Sequence, residues 1–330
     1  RQRLHHALLI HGPAGIGKSA FAAELAQALL CESPLPDGAA CGRCAACGWF
    51  GRGNHPDFRL LTPAAAEEAR EGEGGNGDEG GRRPAGRGAA KASRNIRIDQ
   101  VRALERFTEV GGHRGGAKVV LIDPADALNT AAANALLKTL EEPSGSTRFV
   151  LVTDRPDALP PTIRSRCRSL GLPMPATGPA VAWLAADAGV DIAQAQAWLA
   201  AAGGAPLRAR RFADPAEAAI HRTVVETLAG IPETGIVQAA DALTGIETSV
   251  WAGTLQTWIA DLQRVCAGAE PRYFPDRAAR LRTLSRRTSL PALDRLAAEL
   301  TSVARAVDHP LNPRLTIEDA LLHVRAALAG

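Results

Sequence analysis

The sequence predicts an α/β domain built on a five-stranded parallel sheet, followed by a helical remainder. Three observations carry this. A short apolar run, Ala7-Leu8-Leu9-Ile10, leads into the glycine-rich stretch His11-Gly12-Pro13-Ala14-Gly15-Ile16-Gly17-Lys18-Ser19, and an Ala- and Leu-rich segment follows at Ala20–Leu30. Further strand-like runs alternate with helical spacing as far as Leu170, the pattern of a parallel sheet covered on both faces. Beyond Pro173 only helical patterns recur.

A chain of 330 residues is long enough for two or three domains with cores of their own. Its net charge of +3 neither demands nor excludes nucleic acid, so any basic surface has to be local. No apolar run approaches the length of a membrane span and no signal-peptide pattern opens the chain, which predicts a cytoplasmic protein without a membrane partner. The chain opens on Arg1 and reaches its first strand almost at once, which suggests a short preceding segment.

Gly12, Pro13, Ala14, Gly15, Ile16, Gly17, Lys18 and Ser19 match a complete phosphate-binding loop, G-x-x-x-x-G-K-[ST]. Glycines let the backbone turn its N–H groups toward an anion at little cost. Lys18 is placed to neutralise terminal phosphates, and the Ser19 hydroxyl to take a magnesium ligand position. A strand, a loop and a helix N-terminus together form an anion site, so ATP or ADP with Mg2+ is the expected ligand. A glycine-rich turn that binds nothing is the bland alternative. A loop that binds nucleotide and never hydrolyses it is a third reading. In the helix that follows, Phe21, Leu25, Ala28 and Leu29 are expected to share one face.

Cys31, Cys41, Cys44 and Cys47 come next, the last three at C-x-x-C-x-x-C spacing. Two thiolates separated by two residues reach one tetrahedral zinc, and four complete its coordination. The loop that carries three of them is too rich in Gly and Ala to order itself by apolar packing, so a structural metal would supply that order. A disulfide fits poorly in a chain with no export signal, and an iron–sulfur cluster fits less well than zinc. Cys167 and Cys266 stand apart and read as small buried apolar residues.

His55-Pro56-Asp57 leads into a second strand, Phe58-Arg59-Leu60-Leu61. From Ala64 to Arg94 there is no Val, Ile, Leu or aromatic residue, so the segment reads as a disordered insertion that cannot offset its chain entropy. Acidic residues come first and basic ones mostly later, and the balanced charge argues against a polybasic nucleic-acid arm. Order is expected to return at Ile96, with Asp99 capping a helix that carries Val101, Leu104 and Phe107. Past Gly111-Gly112-His113-Arg114-Gly115-Gly116, Lys118–Ile122 reads as a strand ending in Asp123, where P-loop enzymes place their magnesium-side acid.

Hydrolytic relatives follow that Asp with a Glu that activates water. Here Pro124 follows, which cannot accept a proton, and Asp126 is expected to point elsewhere. Asn129 or Thr130 should cap a helix running to Glu142, stopped by Pro143. Phe149–Val152 reads as the next strand, and Leu170 marks a last short one.

Three blocks together resemble one family: the four-cysteine cluster after the P-loop helix, Asn134-Ala135-Leu136-Leu137-Lys138-Thr139-Leu140-Glu141-Glu142-Pro143, and Ser165-Arg166-Cys167. The chain is similar to bacterial clamp-loader AAA+ subunits of DNA polymerase III. Pro124 makes it look like the delta-prime type rather than the tau/gamma motor. The strong resemblance spans residues 4–61 and 95–172, and Asn312-Pro313-Arg314-Leu315 near the C-terminus is also delta-prime-like. It implies a hetero-oligomeric ring with tau/gamma and delta subunits, acting on a sliding clamp and primed DNA within the polymerase III holoenzyme.

The resemblance also implies an arginine finger in trans for Arg166, although taken alone that residue reads as a surface salt-bridge partner. It places Arg208 near the nucleotide-sensing arginine of the lid, and Asp154 where the motor has a polar sensor. It implies three domains: an AAA+ domain at 1–173, a helical lid at 174–213 and an all-α collar at 214–330.

Within these, Pro173–Pro179 reads as a linker and Ala180–Ala186 and Ile192–Ala202 as lid helices. His221–Leu228, Trp251–Cys266, Leu290–Val307 and Glu318–Leu328 read as collar helices. Trp251, Trp258 and Leu262 share a helical face, explained by core packing better than by base stacking. Two rival readings are an ATP-hydrolysing tau/gamma-type motor, against which Pro124 argues, and a small-molecule phosphotransferase, for which no Arg-rich lid is evident.

Overall fold

The computed structural model describes residues 4–66, 93–109, 116–231, 233–305 and 312–329. The expected insertion falls outside these across 67–92, as does the glycine run at 110–115. The chain divides into two compact units, Arg1–Met174 and Pro175–Gly330.

The first unit holds β1 (Ala7–His11), α1 (Lys18–Leu30), α2 (Ala45–Gly51), β2 (Phe58–Leu61), α3 (Ile98–Glu109), β3 (Lys118–Ile122), α4 (Thr130–Glu141), β4 (Thr147–Thr153), the single-turn α5 (Pro161–Arg164) and β5 (Arg168–Gly171). Its five strands form one sheet in the order β2-β3-β4-β1-β5, and all pairs are parallel. The central strands carry continuous apolar runs, Ala7–Ile10, Val119–Ile122 and Phe149–Val152, because both faces are covered. Val119 and Leu121 of β3 pack with Ile10, Val150, Val152 and α1's Ala22 and Ala26 on one face. Val120 and Ile122 pack with Leu9, Phe149 and Leu151 on the other, with Val101 and Leu104 of α3 and Leu136 and Leu140 of α4.

Several expectations need correction. Ala22 and Ala26 form the buried face of α1, whereas Phe21 is exposed and Leu25 and Leu29 are half-buried. Small side chains let this helix lie close to the sheet, and Phe21 falls one position off that line. Asp99 lies inside the first turn of α3 rather than ahead of it, and the Arg97 N–H is taken instead by Gln100 Oε1 at 2.9 Å. β5 is exposed throughout, an edge strand that needs no apolar sequence. Asn129 is the N-cap of α4, its Oδ1 accepting from the Ala132 N–H at 2.8 Å. The ends of the expected insertion lie together, the Ala65 N–H donating to the Ser93 carbonyl at 3.2 Å.

The second unit is helical: α6 (Thr177–Ala188), α7 (Ile192–Ala201), α8 (Pro206–Arg210), α9 (Pro215–Gly230), α10 (Ile236–Leu243), α11 (Thr248–Cys266), α12 (Ala278–Ser285), α13 (Leu290–Arg305) and α14 (Pro313–Leu328). α6 begins inside the expected linker, with Pro179 in its first turn, where a missing N–H costs nothing. α8, α10 and α12 have no counterpart in the sequence reading. The last two residues of the expected helix at Leu290–Val307, 306–307, lie outside the described residues. Val181, Leu184 and Leu199 anchor a small apolar cluster. A larger one is built on Trp251, Trp258, Leu262, Leu281, Leu293 and Leu321, so the shared face of α11 is core. Cys167 and Cys266 are only partly buried, each packed at the margin of a core. Among the described residues no helix is long and apolar enough to cross a membrane.

Candidate nucleotide and metal sites

The glycine-rich loop leaves the carboxyl end of β1, between β4 and β5, the edge at which open parallel sheets bind ligands. Gly15 and Gly17 are left-handed, with φ of 76° and 100°. Gly12 is required by packing: a Cβ there would stand 2.3 Å from the Leu172 carbonyl oxygen. α1 starts at Lys18, so its first N–H groups and the positive end of its dipole face the loop. Lys18 is buried at 4% exposure and pairs with Asp154, which follows β4 directly. Its Nζ also donates to the Pro13 carbonyl at 2.6 Å. Ser19 is exposed.

Asp123 follows β3, half-buried, its peptide to Pro124 cis. Asp126 is committed elsewhere: it accepts from Thr153 Oγ1 at 2.7 Å and from Arg155 Nε and Nη2 at 3.0 and 2.7 Å. A carboxylate holding a guanidinium and a hydroxyl is poorly placed to take a proton from water.

Arg166, just past α5, pairs with Glu141 at the end of α4, its Nε donating to Oε1 at 2.7 Å. Its Nη1 donates to the Thr162 carbonyl at 2.9 Å. The partnership with Glu141 and that of Lys18 with Asp154 were not foreseen. Glu141 sits in the block already singled out around α4, but nothing in the spacing links it to Arg166. Arg208, exposed on α8, belongs to the second unit, where it lines a cavity with Arg211, Phe212 and His221.

The four cysteines converge. Cys31 ends α1 and Cys44 caps α2, and all four sulfur atoms lie within 4.8 Å of one another. A zinc–sulfur bond of about 2.3 Å in a tetrahedron sets sulfur atoms about 3.8 Å apart, and Cys31 and Cys44 Sγ stand 3.8 Å apart. Backbone N–H groups of Cys41, Cys44 and Cys47 point at the sulfurs of Cys31, Cys41 and Cys44 at 3.3, 3.3 and 3.4 Å, which favours thiolates.

At Cys44 burial works against ionisation, but donation from the Cys47 and Glu32 N–H groups outweighs it and brings the thiol down to about 6. Backbone N–H donation from Arg43 and Cys44 lowers Cys41, while burial pushes Cys47 up to about 12. Four soft donors at this spacing fit a structural tetrahedral ion, and four protein ligands leave no open position for catalysis.

A sequence profile of the family described as "DNA polymerase III, delta subunit" matches residues 1–176. The chain is 42% identical over 208 residues to the DNA polymerase III subunit delta' of Pseudomonas aeruginosa, covering 63% of this chain and 55% of that one. It is 37% identical over 185 residues to the delta' subunit of Escherichia coli, covering 56% and 47%. The chain thus spans about half the length of the curated relatives it matches. A DNA polymerase III gamma subunit-related protein of Thermotoga maritima aligns with a TM-score of 0.43 at 17% identity, over 98% of this chain and 95% of the other.

Proposed function

The chain belongs to the DNA polymerase III, delta subunit, family, and from that premise we propose that it works as the delta-prime subunit of a bacterial clamp loader. In this reading it assembles with tau/gamma and delta subunits in a ring that places a sliding clamp on primed DNA in the cytoplasm. Residues 1–173 form its AAA+ domain, 174–213 a lid and 214–330 a collar through which the ring is held. Cys31, Cys41, Cys44 and Cys47 hold a structural zinc. Gly12 to Ser19, with Asp123, form a pocket for ATP or ADP with Mg2+ that does not hydrolyse it appreciably, and Arg208 is the lid's candidate nucleotide-sensing arginine.

The observation that carries the non-hydrolysing part is the end of β3. Pro124 follows Asp123, and the next carboxylate, Asp126, is spent on Thr153 and Arg155. No step that readies water is assigned to this chain. Its contribution to hydrolysis is Arg166, which would meet the developing charge on a neighbour's nucleotide, an effect worth roughly three to five decades in other NTPases. Glu141 holds that guanidinium in position until it is needed.

The test is a loader reconstituted with wild-type chain or with Arg166→Ala. DNA-stimulated ATP turnover by the assembled complex is expected to fall at least tenfold with the variant, while assembly measured by gel filtration is retained. Unchanged turnover removes the finger role.

A further inference from the structure

Lys18 already has an anion. Its ammonium is buried at 4% exposure, pairs with Asp154 and donates to the Pro13 carbonyl at 2.6 Å. A cation so deeply placed requires a partner, and here the chain provides one where a phosphate group would sit. The carboxylate is not a stray from a loose loop. The residues on either side of it are both fastened to Asp126: Thr153 through its hydroxyl at 2.7 Å and Arg155 through its guanidinium at 2.7 Å. The Arg155 N–H closes the turn on Thr153 Oγ1 at 2.9 Å. Asp154 is thus presented by a braced turn at the carboxyl end of β4. Its side chain, 51% exposed, retains room to swing aside.

We infer that Asp154 is a built-in counter-anion that competes with nucleotide phosphate for Lys18 and sets the affinity of this pocket. The inference rests on the phosphate-binding reading of the loop. An arriving phosphate must displace the carboxylate from Lys18 and then tolerate a second negative charge nearby, which disfavours it. The same pairing gives the buried Lys18 ammonium its counter-charge from within the chain. Asp154 is a specificity-determining residue here, acting on binding through Lys18.

The experiment uses the full chain, with MgADP as the probe, and compares wild type with Asp154→Asn and Asp154→Ser. Calorimetry gives the dissociation constant. Acetylation of Lys18 by an amine-reactive ester, read by mass spectrometry, reports how firmly its amine is held without any nucleotide. The chain has just four lysines, Lys18, Lys91, Lys118 and Lys138, and exposed Lys138 is the internal reference. Without the carboxylate the Lys18 ammonium loses the side chain that holds it, so Lys18 is expected to acetylate about tenfold faster in both variants. MgADP is expected to bind about tenfold tighter. Asp157→Asn, which removes a surface partner of Arg164, is expected to change neither.

Unchanged Lys18 acetylation in both variants overturns the ion pair. Saturable MgADP binding of equal strength in wild type and variants overturns the competition and leaves the phosphate-binding reading standing. Absence of binding in every protein overturns the phosphate-binding reading, and the competition with it. Binding by the variants alone is the strongest support.

Discussion

Asp261 is fully buried within α11, and its two oxygens organise the chain that follows. Oδ1 accepts from the Arg272 N–H at 2.7 Å, and Oδ2 from the N–H groups of Tyr273 and Phe274, both at 2.8 Å. That holds Phe274, 3% exposed, against Trp258 with ring centroids 5.3 Å apart. Asp261→Ala removes three charge-assisted bonds and leaves three backbone donors without their acceptor. Hydrogen bonds to charged groups contribute about 1.5–3 kcal/mol each, but the variant no longer has to desolvate a carboxylate. The net cost expected is about 3–5 kcal/mol.

Asp261→Asn retains one acceptor oxygen. Placed at Oδ2 it keeps two of the bonds, so the expected cost is about half. Urea unfolding followed by tryptophan fluorescence reads the difference, because Trp183, Trp198, Trp251 and Trp258 all lie in the second unit. With a denaturant slope of about 2 kcal/mol per molar, the midpoint falls by roughly 1.5–2.5 M for alanine and about half that for asparagine. A fall under about 0.3 M for Asp261→Ala would refute the reasoning, since the 272–274 turn would then be held by something else.

Two further expectations follow from the same reading. The purified chain should carry one zinc per molecule, released by a mercurial reagent and counted with a colorimetric chelator. Cys44→Ser should lose most of it, and rapid reaction of all four thiols in untreated protein would contradict the site. Burial depresses His221, opposed by the Asp276 charge, and the ring lies between Phe212 and Phe274. The unfolded chain therefore binds the proton more readily, and the stability His221 contributes is present above about 6.5 and lost as pH falls below it. Urea midpoints between pH 7.5 and 5.5 should drop for wild type and flatten in His221→Phe; equal slopes would contradict this.

Features written into short-range pattern were legible in the sequence. The strands of the central sheet are runs of Val, Ile and Leu bounded by turn residues, and the cysteine spacing alone called for one tetrahedral centre. Asn129, immediately ahead of an Ala- and Leu-rich segment, carried its cap on its face. Where the alanine content is high the signal weakens, since a helix that packs through Ala22 and Ala26 has no large residue to mark its buried side. For the same reason α8, α10 and α12 passed unread, each short and with too few bulky positions to set a period.

The pairings of Lys18 with Asp154 and Arg166 with Glu141 join residues 136 and 25 positions apart. Only the sheet order and the docking of α5 beside α4 bring them together, and no local pattern encodes either. Asp126 shows the opposite case. A chain that turns after Asp123 is expected to aim this carboxylate elsewhere, and the turn delivers it to Thr153 and Arg155.

Nucleotide handling by the purified chain in the absence of other subunits is the most direct measurement. The account predicts saturable binding of MgATP or MgADP with release of phosphate at no more than background rate, unchanged by Lys18→Ala. Rapid multiple-turnover hydrolysis by the isolated chain, abolished by Lys18→Ala, would contradict it.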